Sequence, residues 1–171
     1  GSHLQAGAVL RNMYYKDEVE DKDRIVTGWG ASLSGIWQFA QNTSLCFQGV
    51  YGKGISNYIQ DISGTGLDLV PNATAEGKLK AFNAWGGYIG FSHNWSKVLT
   101  SNIMYSYARA LDRYGMPTTS YKYAQYAAAN LFWDFSEYGS CAIEYVFGRR
   151  NDFNKDYGNA SRINTMIQYR F

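Results

Sequence analysis

The sequence predicts an all-β protein, an antiparallel up-and-down transmembrane β-barrel with eight strands in this chain. Apolar and polar side chains alternate with a period of two in eight stretches, and helical periodicity is absent. Most of the stretches are about 10 residues long or longer, and a tilted strand of about 9 to 11 residues crosses a bilayer. Short and long connections alternate between the stretches, as they do in outer-membrane barrels.

The composition suits strands whose two faces contact different solvents. Aromatic residues make up 17% of the 171 residues, with 15 Tyr, and there are 18 Gly. Aromatic side chains favour strands, whereas Gly is depleted from most strands. A high content of both therefore suits strands whose two faces differ in character. The net charge of +2 gives no bias towards nucleic acid, so we expect no nucleic-acid partner. No apolar run reaches the roughly 18 residues that a membrane-spanning helix needs.

The predicted strands follow from the alternation in chain order. The last strand is the clearest, because Ile163, Ile167 and Phe171 share one face while Arg162 and Gln168 lie on the other. The same pattern predicts strands at roughly 5–15, 27–39, 45–51, 85–92, 99–108, 126–135, 141–150 and 161–171.

The connections between these strands are predicted to sort by length. Short turns are expected at 40–43, 93–96 and 136–139, and longer polar loops at 16–23, 53–76, 110–120 and 151–159. An even number of strands places both chain ends on the side of the short turns, which is the periplasmic side of an outer-membrane barrel.

A soluble barrel of the lipocalin type would show the same alternation, with its apolar face inward. The polar faces here are rich in Gly, Ser, Ala and Asn and carry few Lys and Glu, which favours the membrane barrel. Aromatic residues near the strand ends suit a girdle at the membrane interface: Trp37, Phe39, Phe91, Trp133, Phe135, Tyr169 and Phe171.

Two further features concern the first residues and the cysteines. Gly1-Ser2-His3 resembles the remnant of a cleaved expression tag, so residues 4–171 are taken as the β-barrel domain. The strand pattern places Cys46 and Cys141 on opposite faces, which favours two free thiols over a disulfide.

Several stretches resemble a known family of membrane proteins. The end of the chain, Tyr169-Arg170-Phe171, resembles the assembly signal of bacterial outer-membrane proteins. The following stretches look like the C-terminal part of the DcaP-like porin family: Gly-Trp-Gly-Ala-Ser-Leu-Ser-Gly at 28–35, Val-Tyr-Gly-Lys-Gly-Ile-Ser-Asn-Tyr-Ile at 50–59, Ala-Asn-Leu-Phe-Trp at 129–133, Glu-Tyr-Val-Phe-Gly-Arg-Arg at 144–150 and Ser-Arg-Ile-Asn at 161–164. The resemblance spans nearly the whole chain after the tag remnant.

This resemblance implies that the chain is the C-terminal half of a larger outer-membrane barrel. Such porins are trimeric, contact the lipid bilayer and lipopolysaccharide, and pass small anionic solutes by diffusion. A closed eight-stranded barrel has an interior just filled by its own side chains, whereas an aqueous lumen needs about 16 strands. The alternative is a small non-conducting barrel that acts as an anchor or adhesin through its extracellular loops.

Charged residues on the predicted inward face are the candidate pore-lining residues. They are Arg150, Arg162, Arg170, Glu144, Lys80 and Lys122. A basic lumen concentrates anions, and rings of Arg or Lys set anion preference in pores. The alternative is that Arg150, Glu144 and Arg162 lie on adjacent strands and simply pair with one another.

Two polar connections also leave alternatives open. The 53–76 loop either folds inward as a constriction, as in many porins, or remains at the surface. The acidic run at 16–23 either binds divalent cations that bridge lipopolysaccharide or forms a solvated extracellular loop.

No catalytic, cofactor-binding or metal-binding residue is predicted, and we expect no enzyme. His93 is the only histidine outside the tag remnant, lies in a predicted short turn, and has no Ser-Asp arrangement beside it. No Cys/His spacing typical of a metal site is present.

Overall fold

The structure is a computed structural model that describes residues 1–75 and 77–171. These residues form two 3-10 helices, Ser56–Tyr58 and Gln60–Ile62, and ten strands. The strands are β1 (His3–Asp17), β2 (Lys22–Ala40), β3 (Thr43–Lys53), β4 (Leu69–Pro71), β5 (Leu79–Ala81), β6 (Asn83–Asn94), β7 (Leu99–Ala110), β8 (Tyr121–Asp134), β9 (Gly139–Asp152) and β10 (Tyr157–Tyr169). The predicted end of the 53–76 loop, Glu76, lies outside the described residues.

Eight of these strands make one antiparallel sheet in the order β1-β2-β3-β6-β7-β8-β9-β10. Each strand pairs with the next long strand in the chain, which is the up-and-down arrangement that the sequence predicts. β4 and β5 form a separate two-stranded sheet between β3 and β6. Within the part of the chain that the structure describes, β1 does not pair with β10, so the sheet is open. The eight-stranded antiparallel architecture is confirmed, and closure into a barrel stays a prediction.

Two of the predicted long loops are wrong. β1 and β2 pair as far as Asp17 and Lys22, and β9 and β10 pair as far as Asn151 and Tyr157. The connections 18–21 and 153–156 are therefore tight turns, and Asp21 and Lys155 adopt positive φ there. Polar residues continue the ladders because backbone hydrogen bonding does not require the apolar alternation. The long connections are 54–82 and 111–120.

The apolar face of the sheet is exposed across its whole width. Residues of this face lie opposite one another on neighbouring strands: Leu33 opposite Gly49, Trp37 opposite Leu45 and Phe91 opposite Ile103. Trp37 is 59% exposed, Ile103 61% and Ile143 52%. The largest apolar patch on a soluble monomer is about 300 to 600 Å². A continuous apolar surface over eight strands contradicts the soluble-barrel alternative, in which these side chains fill the interior.

The buried core lies on the opposite, polar face of the sheet. It is built from residues of the 54–82 connection and small residues of the strands: Ile55, Ile59, Ile62, Val70, Phe82, Ala84, Ala108, Ala110 and Tyr121. The polar face is therefore the one that the chain itself covers.

Both cysteines are free, as predicted. Cys46 lies on β3 and Cys141 on β9, four steps apart in the strand order. Strands are spaced by about 4.8 Å, which puts the two strands roughly 19 Å apart along the sheet, too far for a disulfide. Among the described residues, no helix is long and apolar enough to cross a membrane.

Candidate functional site

A covering segment, residues 54–75 and 77–82, lies against the polar face of the sheet. Glycines in the strands make this approach possible. A Cβ atom built on Gly30 would lie 2.9 Å from Cγ2 of Ile55, and one on Gly86 would lie 3.3 Å from Cγ2 of Ile59. The segment begins at Gly54, whose φ of +68° favours glycine. Of the two alternatives for the 53–76 loop, this packing agrees with a loop that folds inward onto the sheet, and its role as a constriction stays a prediction.

Apolar packing holds the segment to the strands. Ile55, Ile62 and Phe82 are fully buried and contact a wall of small residues that includes Ala84 and Ala108. Burying a side chain of this size contributes about 1.5 to 3 kcal/mol. The small alanines let the segment lie close to the backbone of the sheet.

Asp68 is the main polar anchor of the covering segment. Its Oδ1 accepts hydrogen bonds from the backbone N–H (2.9 Å) and the hydroxyl (2.6 Å) of Ser56. Its Oδ2 accepts from Nη1 of Arg11 (3.0 Å) and Nδ2 of Asn57 (3.0 Å). Arg11 also donates to the carbonyl oxygen of Gly54 at 3.0 Å. Because Arg11 belongs to β1, this cluster ties both halves of the segment to the edge of the sheet.

A second anchor holds the C-terminal part of the segment. The carboxylate of Asp112 accepts hydrogen bonds from Nζ of Lys80 and from the backbone N–H of Asn83, both at 2.6 Å. The hydroxyl oxygen of Tyr15, on β1, accepts a hydrogen bond from the backbone N–H of Leu79 at 3.2 Å. The segment is thus fixed at β1 and at the β7–β8 connection.

Tyr121 faces the covering segment although strand parity groups it with Tyr123 on the apolar face. The register between β8 and β9 shifts between these two tyrosines, leaving Lys122 unpaired in the ladder. Because of this bulge, the side chain of Tyr121 points into the core. There its hydroxyl donates a hydrogen bond to the carbonyl oxygen of Ala108 at 3.1 Å. The sequence analysis did not single out Tyr121, because a bulge has no reliable signal in alternation.

Three of the predicted pore-lining bases have close aromatic or acidic neighbours. Lys80 pairs with Asp112 at 2.6 Å, so its charge is compensated. Arg150 pairs through Nε with Asp152 at 2.9 Å and lies over the ring of Tyr121, 5.6 Å from the centroid. Lys122 places Nζ 5.8 Å from the ring centroid of Tyr123.

The other three predicted residues lie towards the β10 edge. Arg162 is exposed on β10 opposite Val146, and the backbone N–H of Arg170, just after β10, donates to Tyr138 at 2.8 Å. Glu144 accepts hydrogen bonds from Nδ2 of Asn164 at 2.9 Å and from Asn130 at 3.4 Å. Over residues 1–75 and 77–171, Arg150 pairs with Asp152, and no ion pair joins it to Glu144 or Arg162.

A row of amide side chains crosses the polar face of the sheet. Asn102 donates to Asn130 at 2.7 Å, and Asn130 and Asn164 both donate to Glu144. The row runs across β7, β8, β9 and β10 at one level. The alternation places each of these residues on the polar face, but their contact with one another depends on register, which sequence reasoning did not fix.

A cleft of about 560 Å³ lies between one edge of the covering segment and the sheet. Tyr58, Gln60 and Asp61 line it from the segment, and Tyr88 and Tyr126 are among its lining residues from the strands. Desolvation by the surrounding atoms raises the pKa of Asp61 above its usual range. Sequence reasoning did not single out this cleft.

The acidic run at the β1–β2 turn is compensated by basic side chains. Asp17 accepts hydrogen bonds from the backbone N–H groups of Val19 (3.1 Å) and Glu20 (3.2 Å). Glu20 pairs with Arg24 and, at 3.4 Å, with Lys78 of the covering segment. These pairs favour a structured turn over an open cation site, and lipopolysaccharide binding stays a prediction.

His93 lies in the last two residues of β6 and not in a turn. Its Nδ1 is 2.8 Å from the hydroxyl oxygen of Thr43, and its ring lies edge-on to Trp95 at 4.5 Å. This environment is that of a structural side chain near a strand end.

Two aromatic rows border the apolar face. The predicted row lies near the short connections, where Trp37 contacts Phe39 at 5.8 Å and Trp133 contacts Phe135 at 5.9 Å between ring centroids. A second row, at the other strand ends, joins Trp29 to Tyr51, Trp85 to Tyr107 and Tyr107 to Tyr123. Eight residues separate Trp29 from Trp37, about 27 Å along the strand. A tilt of about 40° reduces this to roughly 20 Å, close to the apolar band of outer-membrane barrels.

Comparisons with known proteins bear on the fold. No protein-family model matches the chain, and no curated protein matches it. Among solved structures, the outer membrane channel DcaP of Acinetobacter baumannii matches with a TM-score of 0.73 at 20% sequence identity. The match covers 98% of this chain and 47% of the DcaP chain, so this chain spans about half of that protein. The chain shares the fold of about half of that channel. The predicted similarity to DcaP-like porins is thus confirmed at the level of the fold.

Proposed function

We propose that the chain is the C-terminal half of a DcaP-like porin, through which small hydrophilic solutes diffuse passively across a bacterial outer membrane. One observation carries the proposal. A sheet that matches half of a known channel has an exposed apolar face and an opposite face that a segment of the chain covers. A channel wall needs this combination, with hydrocarbon on one side and water on the other.

The apolar face and its two aromatic rows support the membrane location. Aromatic girdles at both interfaces border the outward apolar band of outer-membrane barrels. The exposed residues between the rows, such as Leu33, Ile103 and Ile143, would contact lipid tails. The lipid bilayer and lipopolysaccharide are therefore the proposed surroundings of this face.

The open edges support a larger barrel. β1 and β10 are 15 and 13 residues long, and each presents a row of unpaired backbone groups at its outer edge. Such groups cannot stay unsatisfied in hydrocarbon, so membrane sheets close. We propose that strands of a further half of the protein pair with both edges and bring the total to about 16, the number that leaves an aqueous lumen. The complete protein is proposed to be a trimer.

The polar face then lines the lumen, and the covering segment narrows it. Asp68 and Asp112 fix this segment against the wall at both of its ends. A fixed segment inside the lumen sets the size limit for passing solutes.

The charge of the lumen supports a preference for anionic solutes. Among the described residues, Arg162, Arg170 and Lys122 have no carboxylate within ion-pair distance, whereas Lys80 and Arg150 do. Uncompensated basic side chains at a pore wall raise the local anion concentration. The anion preference is therefore proposed to depend on the β8–β10 side of the wall.

Planar-bilayer recording on the complete protein tests this function. Discrete conductance steps are the expected result, with a reversal potential in a salt gradient that indicates anion preference. An absence of steps would refute the channel and leave the non-conducting anchor or adhesin as the alternative. A reversal potential that indicates cation preference would refute the selectivity alone.

A further inference from the structure

The cleft beside the covering segment combines one carboxylate with several aromatic rings. Asp61 lines it together with Tyr58, Tyr88 and Tyr126, and the side chains of Gln48, Gln60 and Ser106 supply hydrogen-bonding groups. Its volume of about 560 Å³ falls within the range of about 300 to 1,000 Å³ typical of small-molecule sites. The cleft is concave and contains enough polar groups to orient a ligand.

The charge inside the cleft is negative and uncompensated. No Lys, Arg or His side chain lines it over the residues that the structure describes. Asp61 takes part in no hydrogen bond or ion pair with another described residue, unlike Asp68 and Asp112. Asp61 remains exposed to solvent, so its carboxylate is accessible to a positively charged ligand that enters the cleft.

We propose that this cleft binds the cationic group of a small organic ammonium compound, with Asp61 as its counter-ion and the tyrosine rings of Tyr58, Tyr88 and Tyr126 around it. Tyrosine faces attract ammonium groups, and the attraction grows as the cation is desolvated. An anion would meet an unpaired carboxylate here and no basic partner. Access of the ligand from the lumen rests on the proposed channel function.

Two of the three basic residues proposed to set the anion preference, Arg162 and Arg170, belong to another part of the wall. The strands that line the cleft are β3, β6, β7 and β8, whereas Arg162 lies on β10. β8 is the lining strand nearest to β10 and is two steps from it in the sheet, about 10 Å at the usual strand spacing. A lumen with a basic side and a separate acidic cleft would hold the two ends of a zwitterion at different places.

Calorimetric titration of the complete protein in detergent with benzyltrimethylammonium tests the site. The variant Asp61→Asn removes the counter-ion, and Asp156→Asn, in the β9–β10 turn, removes the same charge elsewhere. The wild type and D156N are expected to bind the probe equally, and D61N at least tenfold more weakly. Tyr126→Phe keeps the ring and is expected to bind like the wild type, whereas Tyr126→Leu binds more weakly.

Equal binding by the wild type and D61N would overturn the proposal, and so would the absence of any binding. Tighter binding of glucose or benzoate than of the ammonium probe would overturn it in favour of a neutral or anionic ligand. Conductance recorded on the same preparation separates this proposal from the channel function. Binding without conductance would refute the channel alone, and conductance without binding would refute the cleft site alone.

Discussion

Replacing Asp68 with Asn should loosen the covering segment without unfolding the sheet. The carboxylate accepts four hydrogen bonds, two at each oxygen, and an Asn side chain would present an NH₂ group to two of these donors. In the orientation that keeps Ser56, the NH₂ group faces Arg11 and Asn57. Losing one neutral and one charge-assisted hydrogen bond costs about 2 to 4 kcal/mol. Arg11 and Asp68 side chains are only 27% and 18% exposed, so solvent screens this loss incompletely.

The apolar contacts of the segment limit the effect of this change. Ile55, Ile62 and Phe82 together contribute about 6 kcal/mol or somewhat more by burial, so the segment stays docked for most of the time. A loss of about 3 kcal/mol raises the detached population by roughly 100-fold.

Hydrogen exchange of peptides from the covering segment measures this detachment directly. In the complete protein, Asp68→Asn should speed exchange in the 54–82 peptides and leave the β7 and β8 peptides unchanged, and single-channel currents should become noisier. Asp156→Asn, which lies in a turn remote from the segment, is the charge-matched control. Wild-type exchange and noise in D68N would refute the role of Asp68 as the anchor.

Three further predictions concern the two faces and the core. Ile143→Arg on the apolar face should destabilise the protein by about 2 to 4 kcal/mol in urea titrations in lipid. Ala142→Arg, on the polar face of the same strand, should cost much less. Equal costs would contradict the face assignment. Reversing Arg162 and Arg170 together to Glu should move the reversal potential towards cation preference, and an unchanged potential would show that other groups set selectivity. Tyr121→Phe should lower the free energy of unfolding by about 1 kcal/mol, because one buried hydrogen bond is lost; a stability equal to that of the wild type would argue against that bond.

The long strands and their two faces were predictable because side-chain alternation is a local property. A period of two persists from Thr27 to Phe39 whatever the strand pairs with, so the face of each residue follows from the chain itself. Alternation carries no information about the orientation of Tyr121, because a bulge there shifts the parity by one residue. The same reasoning overestimated the loops at 16–23 and 151–159, because polar residues there continue the ladders.

The candidate site depended on contacts between distant residues, which alternation does not encode. Arg11 and Asp68 are 57 positions apart in the sequence, and no local sequence pattern predicts their contact. Some signals were present. Arg150 and Asp152 are two residues apart on one strand and so share a face, which predicts their ion pair. Glycines on the polar face, such as Gly30 and Gly86, mark where the segment approaches.

The two native cysteines provide the most direct test of which solvent contacts each face. Cys46 lies on the polar face of β3 and Cys141 on the apolar face of β9, and both are free thiols. In the complete protein reconstituted in lipid vesicles, a charged, water-soluble methanethiosulfonate reagent should label Cys46 in a Cys141→Ser variant. The same reagent should leave Cys141 unlabelled in a Cys46→Ser variant. The opposite pattern, in which Cys141 is labelled and Cys46 is protected, would place water on the apolar face. It would contradict the assignment on which the channel proposal rests.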